Sequence, residues 1–200
     1  MRLRYSVTSP FARKVRTSAA YLGLPLELEI ADTNDDTDTL IGQNPLGKLP
    51  VLLQEGEAPL FDSPVILEWL DHVAGGGRIL PTDPKARFAA LRLEALGDGL
   101  MDAALLVVYE QRFRPEQWRY AAWVERQTTK VMRTLDALEA DIGALSGDVT
   151  VGTITLACAL EYIDLRLGSG WRATRPGLVA WLEGFKAACP VFRDTAPPSA

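Results

Sequence analysis

A strand pattern, a helix pattern and a second strand pattern fill the first thirty residues, and that order constrains the fold more than any other feature of the chain. Residues 2–7 alternate Arg2, Leu3, Arg4, Tyr5, Ser6 and Val7, and residues 26–30 alternate Leu26, Glu27, Leu28, Glu29 and Ile30. Period-two alternation marks a half-buried strand. Residues 10–22 between them read as a helix ended by Gly23 and Pro25. Two strands joined by such a helix lie parallel in one sheet, with a right-handed crossover.

Residues 31–39, rich in Asp and Thr, read as a loop. VLLQEGEAPLF, residues 51–61, sets two apolar runs around a Glu55-Gly56-Glu57 turn, a hairpin signal. A helix then starts at Ser63-Pro64 and carries Ile66, Trp69, Leu70 and Val73 at helical spacing. The order is βαβ, a connection, then ββα.

AGGGRILPTDP, residues 74–84, breaks the composition with three glycines and two prolines. Everything after it reads as helix. Residues 85–113 form a long Ala- and Leu-rich run before Pro115, and residues 116–145 place Val131, Leu135, Leu138, Ile142 and Leu145 on one stripe. Two such helices with a short joint pack antiparallel. Residues 153–167 and 177–188 supply two more helices, and the tail 195–200 is expected to fray. The expected organisation is an α/β domain over 1–75, a linker over 76–84 and an all-helical domain over 85–200, within the size range of one or two compact units.

The formal net charge of -5 excludes a global basic field for nucleic acid or an anionic membrane surface. The N-terminal residues lack the apolar core of a signal peptide, and no apolar run reaches the ~18 residues of a spanning helix, so the cytoplasm is the expected location. Cys158 and Cys189 have neither metal-type nor CxxC spacing, so neither a disulfide framework nor a metal site is expected. The single histidine, His72, reads as a solvent-facing helix residue, and Cys158 as a buried apolar one.

Ser9-Pro10 and Ser63-Pro64 each follow a strand and open a helix, with serine read as N-cap and proline at the first helical position. Ordinary helix starts would look the same. Two helix N-termini in one α/β unit also offer anion sites at the carboxyl ends of the strands. Arg13 and Lys14 fall early in the first of these helices, where the dipole disfavours cations, and one explanation is a bound anion nearby. Between the two pairs lies NPLGKLPVL, residues 44–52. Leu49 precedes a proline and is therefore extended, and Pro50 can take a cis bond. An extended backbone of this kind can pair with a peptide ligand, or be a plain turn into a strand.

The set TSPFARKVR, NPLGKLPVL and FDSPVILEWL, in that order and followed by helices, resembles the glutathione S-transferases, in particular small bacterial members with an active-site serine. The resemblance covers nearly the whole chain. It implies a thioredoxin-like N-terminal domain that holds glutathione, a helical bundle with a pocket for a second substrate, and a cytoplasmic homodimer active in detoxification. Carried over by position, Ser9 is the catalytic residue beside the glutathione sulfur, with Thr8 and Tyr5 as rivals. Pro10, Phe11, Lys48, Leu49, Pro50, Asp62 and Ser63 complete the glutathione site. Met101, Leu105, Tyr109 and Arg112 line the electrophile pocket, and Asp98 reaches across a dimer interface. Ser9, Pro10, Phe11 and Ala12 stand where related redox proteins carry CxxC, so dithiol exchange through that motif is excluded. In the family's sixth helix a capping box is usual, whereas Thr153 is followed by Leu156, so no reciprocal cap is expected. Rival functions are a non-catalytic glutathione-binding or interaction protein, and a glutathione-dependent peroxidase, dehalogenase or isomerase.

Overall fold

The first strand is buried on both faces, which makes it the centre of its sheet. In the computed structural model, which describes residues 1–35, 38–145 and 147–198, β1 (Arg2–Tyr5) pairs parallel with β2 (Glu27–Ile30) and antiparallel with β3 (Val51–Leu53), in the order β2-β1-β3. Leu3 is fully buried in one core with apolar residues of α1 (Pro10–Leu22) and α3 (Ser63–Val73), while Arg4, at 3 % exposure, bonds α2 (Leu40–Gln43) and the turn before it. The strand stops two residues earlier than its alternation predicts because Ser6 accepts the Ser9 N–H at 3.1 Å and the chain turns into the helix.

The hairpin read from residues 51–61 is reduced on its return side to one antiparallel bridge, Leu52 with Leu60. The 31–39 loop is followed by the four-residue α2, and its residues 36 and 37 lie outside the described residues.

Four long helices follow: α4 (Pro84–Phe113), α5 (Ala121–Ala140), α6 (Val151–Leu167) and α7 (Pro176–Ala188). The architecture is a thioredoxin-like unit followed by a helical bundle. The helix expected over 116–145 is shorter than its apolar stripe. A 3-10 turn occupies Glu116–Trp118, α5 is capped at Asp141, and Ile142–Ala144 form another 3-10 turn that keeps Ile142 against the core. α6 is buried on every side over most of its length. It approaches α4 closely enough that a Cβ on Gly152 would sit 2.4 Å from the Ala90 carbonyl oxygen, a contact only glycine allows.

The structure corrects two further expectations, the uncapped α6 and the frayed tail, and shows how the linker is held. A reciprocal cap on α6 does exist, but it starts three residues upstream: the Thr150 hydroxyl accepts the Thr153 N–H (3.2 Å) and the Thr153 hydroxyl accepts the Thr150 N–H (2.8 Å). The glycine-rich connection is pinned to the core: the buried Asp71 carboxylate accepts the N–H groups of Gly77, Arg78 and Ile79 at 2.7–2.9 Å, and Ile79 is fully buried. The tail does not fray at Thr195, which ends a 3-10 turn over Pro190–Thr195, is 5 % exposed and bonds the Thr17 hydroxyl at 2.9 Å. Residues 199 and 200 of that expectation lie outside the described residues.

Candidate functional site

Sheet register brings three loop ends together. β1 ends at Tyr5 and leads into Ser9 at the start of α1. The antiparallel β3 begins at that same end of the sheet, with Val51 opposite Arg4, so Leu49 and Pro50 enter there. Residue Leu60, antiparallel to β3, runs back toward it and delivers Asp62 and Ser63. Carboxyl ends of strands are where open α/β sheets hold ligands.

Ser9 is the N-cap of α1: its Oγ accepts the Ala12 N–H at 3.2 Å, which leaves the hydroxyl proton free to donate. It is half-buried and lines a narrow cleft of about 10 Å³ with Thr8, Pro10, Tyr162, Leu165 and Pro197. Its rival Thr8 shares that cleft, whereas Tyr5 is turned into the core with the Arg16 guanidinium 5.2 Å from its ring centre. Phe11 packs against the core beside the helix start.

The Leu49–Pro50 bond is cis, as the sequence suggested, and Phe61–Asp62 is a second cis bond. Among the described residues no hydrogen bond engages the N–H or C=O of Leu49. Lys48 is exposed at the rim. At the head of α3 the roles differ from the sequence reading: Asp62 is the N-cap and accepts the Ser63 N–H, while Ser63 is the first helical residue. The reason is that an extended Asp62 already offers a carboxylate to the helix start. Ser63 is thereby 1 % exposed, with a hydroxyl that has no partner among the described residues. A buried hydroxyl without a partner carries a desolvation cost that a bound ligand can remove.

Arg13 and Lys14 are each paired with protein carboxylates. Lys14 is fully buried, with Nζ between Asp98 (2.7 and 2.9 Å) and Glu94 (3.2 Å) of α4. Arg13 pairs with Glu161 of α6 at 2.7 Å and lies 4.1 Å from the Phe192 ring centre. A cation one turn into a helix needs compensation from elsewhere, and the helical bundle supplies it. Burial works to raise the Glu161 pKa, but bonds and charge from Lys186 and Arg13 outweigh it and hold the carboxyl below its ordinary value. Burial pushes Asp98 up to about 6 against the pull of Lys14, with Glu94 and Asp62 adding to the rise. Asp98, expected to act across an interface, is thus engaged within its own chain.

Of the four expected pocket residues, Met101 is fully buried in the core. Leu105 is half-buried and Tyr109 and Arg112 are exposed. Burial raises the pKa of Tyr162, which lines the Ser9 cleft, while Arg166 and Arg112 oppose the rise and Tyr109 adds to it. Glu161 and Tyr162 were missed from sequence because they sit in an otherwise apolar run. A wider groove of about 760 Å³ between the end of α4 and α5, bordered by Glu110, Arg119, Val124 and Met132, shares no residue with that cleft. The Cys158 and Cys189 thiols are buried, pushed up to about 12 and about 11 by burial, and so stay protonated. His72 is exposed. Among the described residues no group of three or more His, Cys, Asp or Glu is placed to hold a metal, and no helix is long and apolar enough to cross a membrane.

Two family models match the chain, described as the N-terminal domain of glutathione S-transferase over residues 8–73 and its C-terminal domain over residues 121–184. An Escherichia coli K12 protein described as the uncharacterized GST-like protein YibF is 38 % identical over the full length of both chains. A glutathione S-transferase of Methylobacillus flagellatus KT, solved with glutathione bound, superposes with a TM-score of 0.91 at 36 % identity, covering 98 % of this chain and 99 % of its own. A glutathione transferase family member from Pseudomonas fluorescens Pf-5, also with bound glutathione, gives 0.92 at 35 % identity and 99 % of each chain.

Proposed function

The chain belongs to the glutathione S-transferase family, and from that premise we propose that it is a transferase that holds glutathione as its thiolate beside Ser9 and adds it to a small electrophile. One observation carries the reading: the three loop ends at the head of the sheet each leave hydrogen-bonding capacity unspent. These are the Ser9 hydroxyl proton, the Leu49 main chain and the buried Ser63 hydroxyl. A γ-glutamyl carboxylate satisfies Ser63, an extended cysteinyl unit pairs with Leu49 as an added strand does, and Lys48 faces the glycyl carboxylate. Relatives at 35–36 % identity were solved with glutathione bound.

In this mechanism the thiol, with an ordinary pKa of about 8.5, meets the positive end of α1 and the Ser9 O–H. Both favour the charged sulfur over the neutral one, so the thiolate fraction rises at neutral pH. The thiolate attacks the electrophilic carbon, and the leaving group or a proton from water completes the step. Tyr109, Arg112 and Tyr162 border the electrophile. Glutathione is a co-substrate, the protein works without a metal, as a homodimer and in the cytoplasm.

The test is the ultraviolet absorbance of bound thiolate titrated from about pH 5 to 9 against free glutathione. A pKa lowered by one unit or more, each worth about 1.4 kcal/mol, supports the reading. Saturable binding with an unshifted thiol makes the protein a non-catalytic binder, and absence of binding removes the ligand.

A further inference from the structure

We propose that Arg4, a buried residue of the central strand, is a positioning residue for the Leu49 loop and acts on it through α2 and Asn44. The inference rests on the glutathione reading above, and it concerns a residue that touches none of the groups assigned to the ligand.

Both terminal nitrogens of the Arg4 guanidinium donate to one short segment. Nη1 donates to the Thr39 hydroxyl and to the Gln43 side-chain oxygen, both at 3.0 Å, Nη2 donates to Asp38, and Nε faces Glu29 of β2 at 3.6 Å. Thr39 and Gln43 bracket α2 at its two ends. That helix has little of its own to hold it: it has four residues, its N-cap Thr39 makes no side-chain cap bond, its first N–H, that of Leu40, goes to the Asp38 carboxylate at 2.8 Å, and Leu40 is its one buried residue. So short a helix falls below the length at which helical hydrogen bonds repay the ordering of the chain. Its place is therefore set by tertiary contacts, through the burial of Leu40 on one side and, on the other, through the arginine fork, which also holds the Asp38 that takes the Leu40 N–H. A planar guanidinium reaches several acceptors at fixed angles, which an ammonium cannot do.

From α2 the connection to the ligand loop is rigid. Asn44, 2 % exposed, caps α2 through its N–H to the Leu40 carbonyl at 2.8 Å. Its side chain then closes the following turn at both ends: Oδ1 accepts the Leu46 N–H at 3.0 Å and Nδ2 donates to the Lys48 carbonyl at 2.9 Å. The Lys48 carbonyl belongs to the peptide unit that carries the Leu49 N–H. At the far end of the loop, Val51 sits opposite the Arg4 backbone in the sheet. One residue thus references both ends of the loop, by its main chain at Val51 and by its side chain at α2. Ligand groups displaced by about an ångström lose most of their effect.

The test compares Arg4→Met, which keeps the apolar stem and removes the fork, with Arg2→Met, an exposed arginine of the same strand that pairs with Glu29. Two measurements are made: amide hydrogen exchange without ligand, and glutathione binding by calorimetry with the bound thiol titrated by ultraviolet absorbance. Expected for Arg4→Met is faster exchange at Leu46 and Gly47 with α1 unchanged, a glutathione Kd raised about tenfold, and a bound-thiol pKa equal to that of the parent. Arg2→Met behaves as the parent does. If Arg4→Met fails to fold, Gln43→Met, which removes one acceptor at the end of α2, is read in the same way. The proposal is overturned by native exchange and affinity in the variant, or by exchange that rises equally in α1 and the loop, the mark of a purely structural arginine. Should the parent protein itself not bind glutathione, the proposed function falls, while the ligand-free exchange pattern still decides whether Arg4 sets the loop.

Discussion

Lys14 Nζ lies 2.7 and 2.9 Å from the two carboxylate oxygens of Asp98 and 3.2 Å from Glu94, in a site where the lysine has no exposed surface. One cation from the helix that carries Ser9 is locked between two anions of the longest helix of the bundle. Breaking a buried pair by removing one partner strands the other charges. Lys14→Met therefore leaves Glu94 and Asp98 facing each other uncompensated and is expected to cost about 3–5 kcal/mol in urea unfolding, whereas Asp98→Asn leaves Lys14 paired with Glu94 and costs far less.

The same carboxylate makes stability depend on pH. The Asp98 pKa is raised, chiefly by burial, from 3.8 to about 6 in the folded chain, where Lys14, Glu94 and Asp62 act on it. Between pH 3.8 and about 6 the folded state therefore holds the extra proton, and its stability falls as pH rises through that window. Melting curves of the parent and of Asp98→Asn over about pH 4 to 7 check this. The variant is expected to lose that component of the slope, and an unchanged slope would move the titration to another group.

Ser9→Ala is expected to keep glutathione affinity within a few fold and to lower kcat about a hundredfold, because a donor aimed at a charged sulfur matters most when the charge is present. Steady-state kinetics with a small electrophile panel, beside the bound-thiol titration, separate the two effects. Equal turnover would take Ser9 out of the mechanism and bring Thr8, in the same cleft, forward.

Gly152→Ala forces a methyl group to 2.4 Å from the Ala90 carbonyl oxygen and 2.8 Å from the Leu93 Cβ, so α4 and α6 must part. The expected loss is ~1–3 kcal/mol by denaturant titration. Because α6 lines the Ser9 cleft through Glu161, Tyr162 and Leu165, electrophile KM is expected to shift more than glutathione affinity.

Thr150→Ala removes the hydroxyl that caps α6 and breaks one half of the reciprocal bond with Thr153. A loss of about 1 kcal/mol is expected. Thermal melts of Thr150→Ala and Thr150→Ser decide it, since serine restores the acceptor.

Local patterns carried most of the fold. The alternation around Leu3, the Ser9 cap, the Gly23 stop and the cis bond at Pro50 are all consequences of neighbouring residues, and each is where its pattern puts it. What sequence patterns cannot carry is a partner far along the chain. Arg13 and Lys14 suggested a ligand anion because their real partners, Glu161, Glu94 and Asp98, lie 80 or more residues away. Thr150 was missed because its reciprocal partner is a threonine where the usual signature has Glu or Gln. Asp71 was missed because the amides that it gathers belong to a turn whose shape the carboxylate itself helps to set.

Thr195 meets Arg13 and Thr17 across separations of 182 and 178 residues. A ribosome delivers α1 long before it delivers the turn that covers it. Until then Lys14 waits for α4, Arg13 for α6, and Thr17 for a hydroxyl that emerges well after both. The thioredoxin-like half, although complete in sequence by residue 73, therefore leaves the tunnel as an unfinished object whose charged helix flank belongs to material not yet made. In folding by order of synthesis, the packing of the α1 flank is therefore completed only once the bundle and the final turn are present.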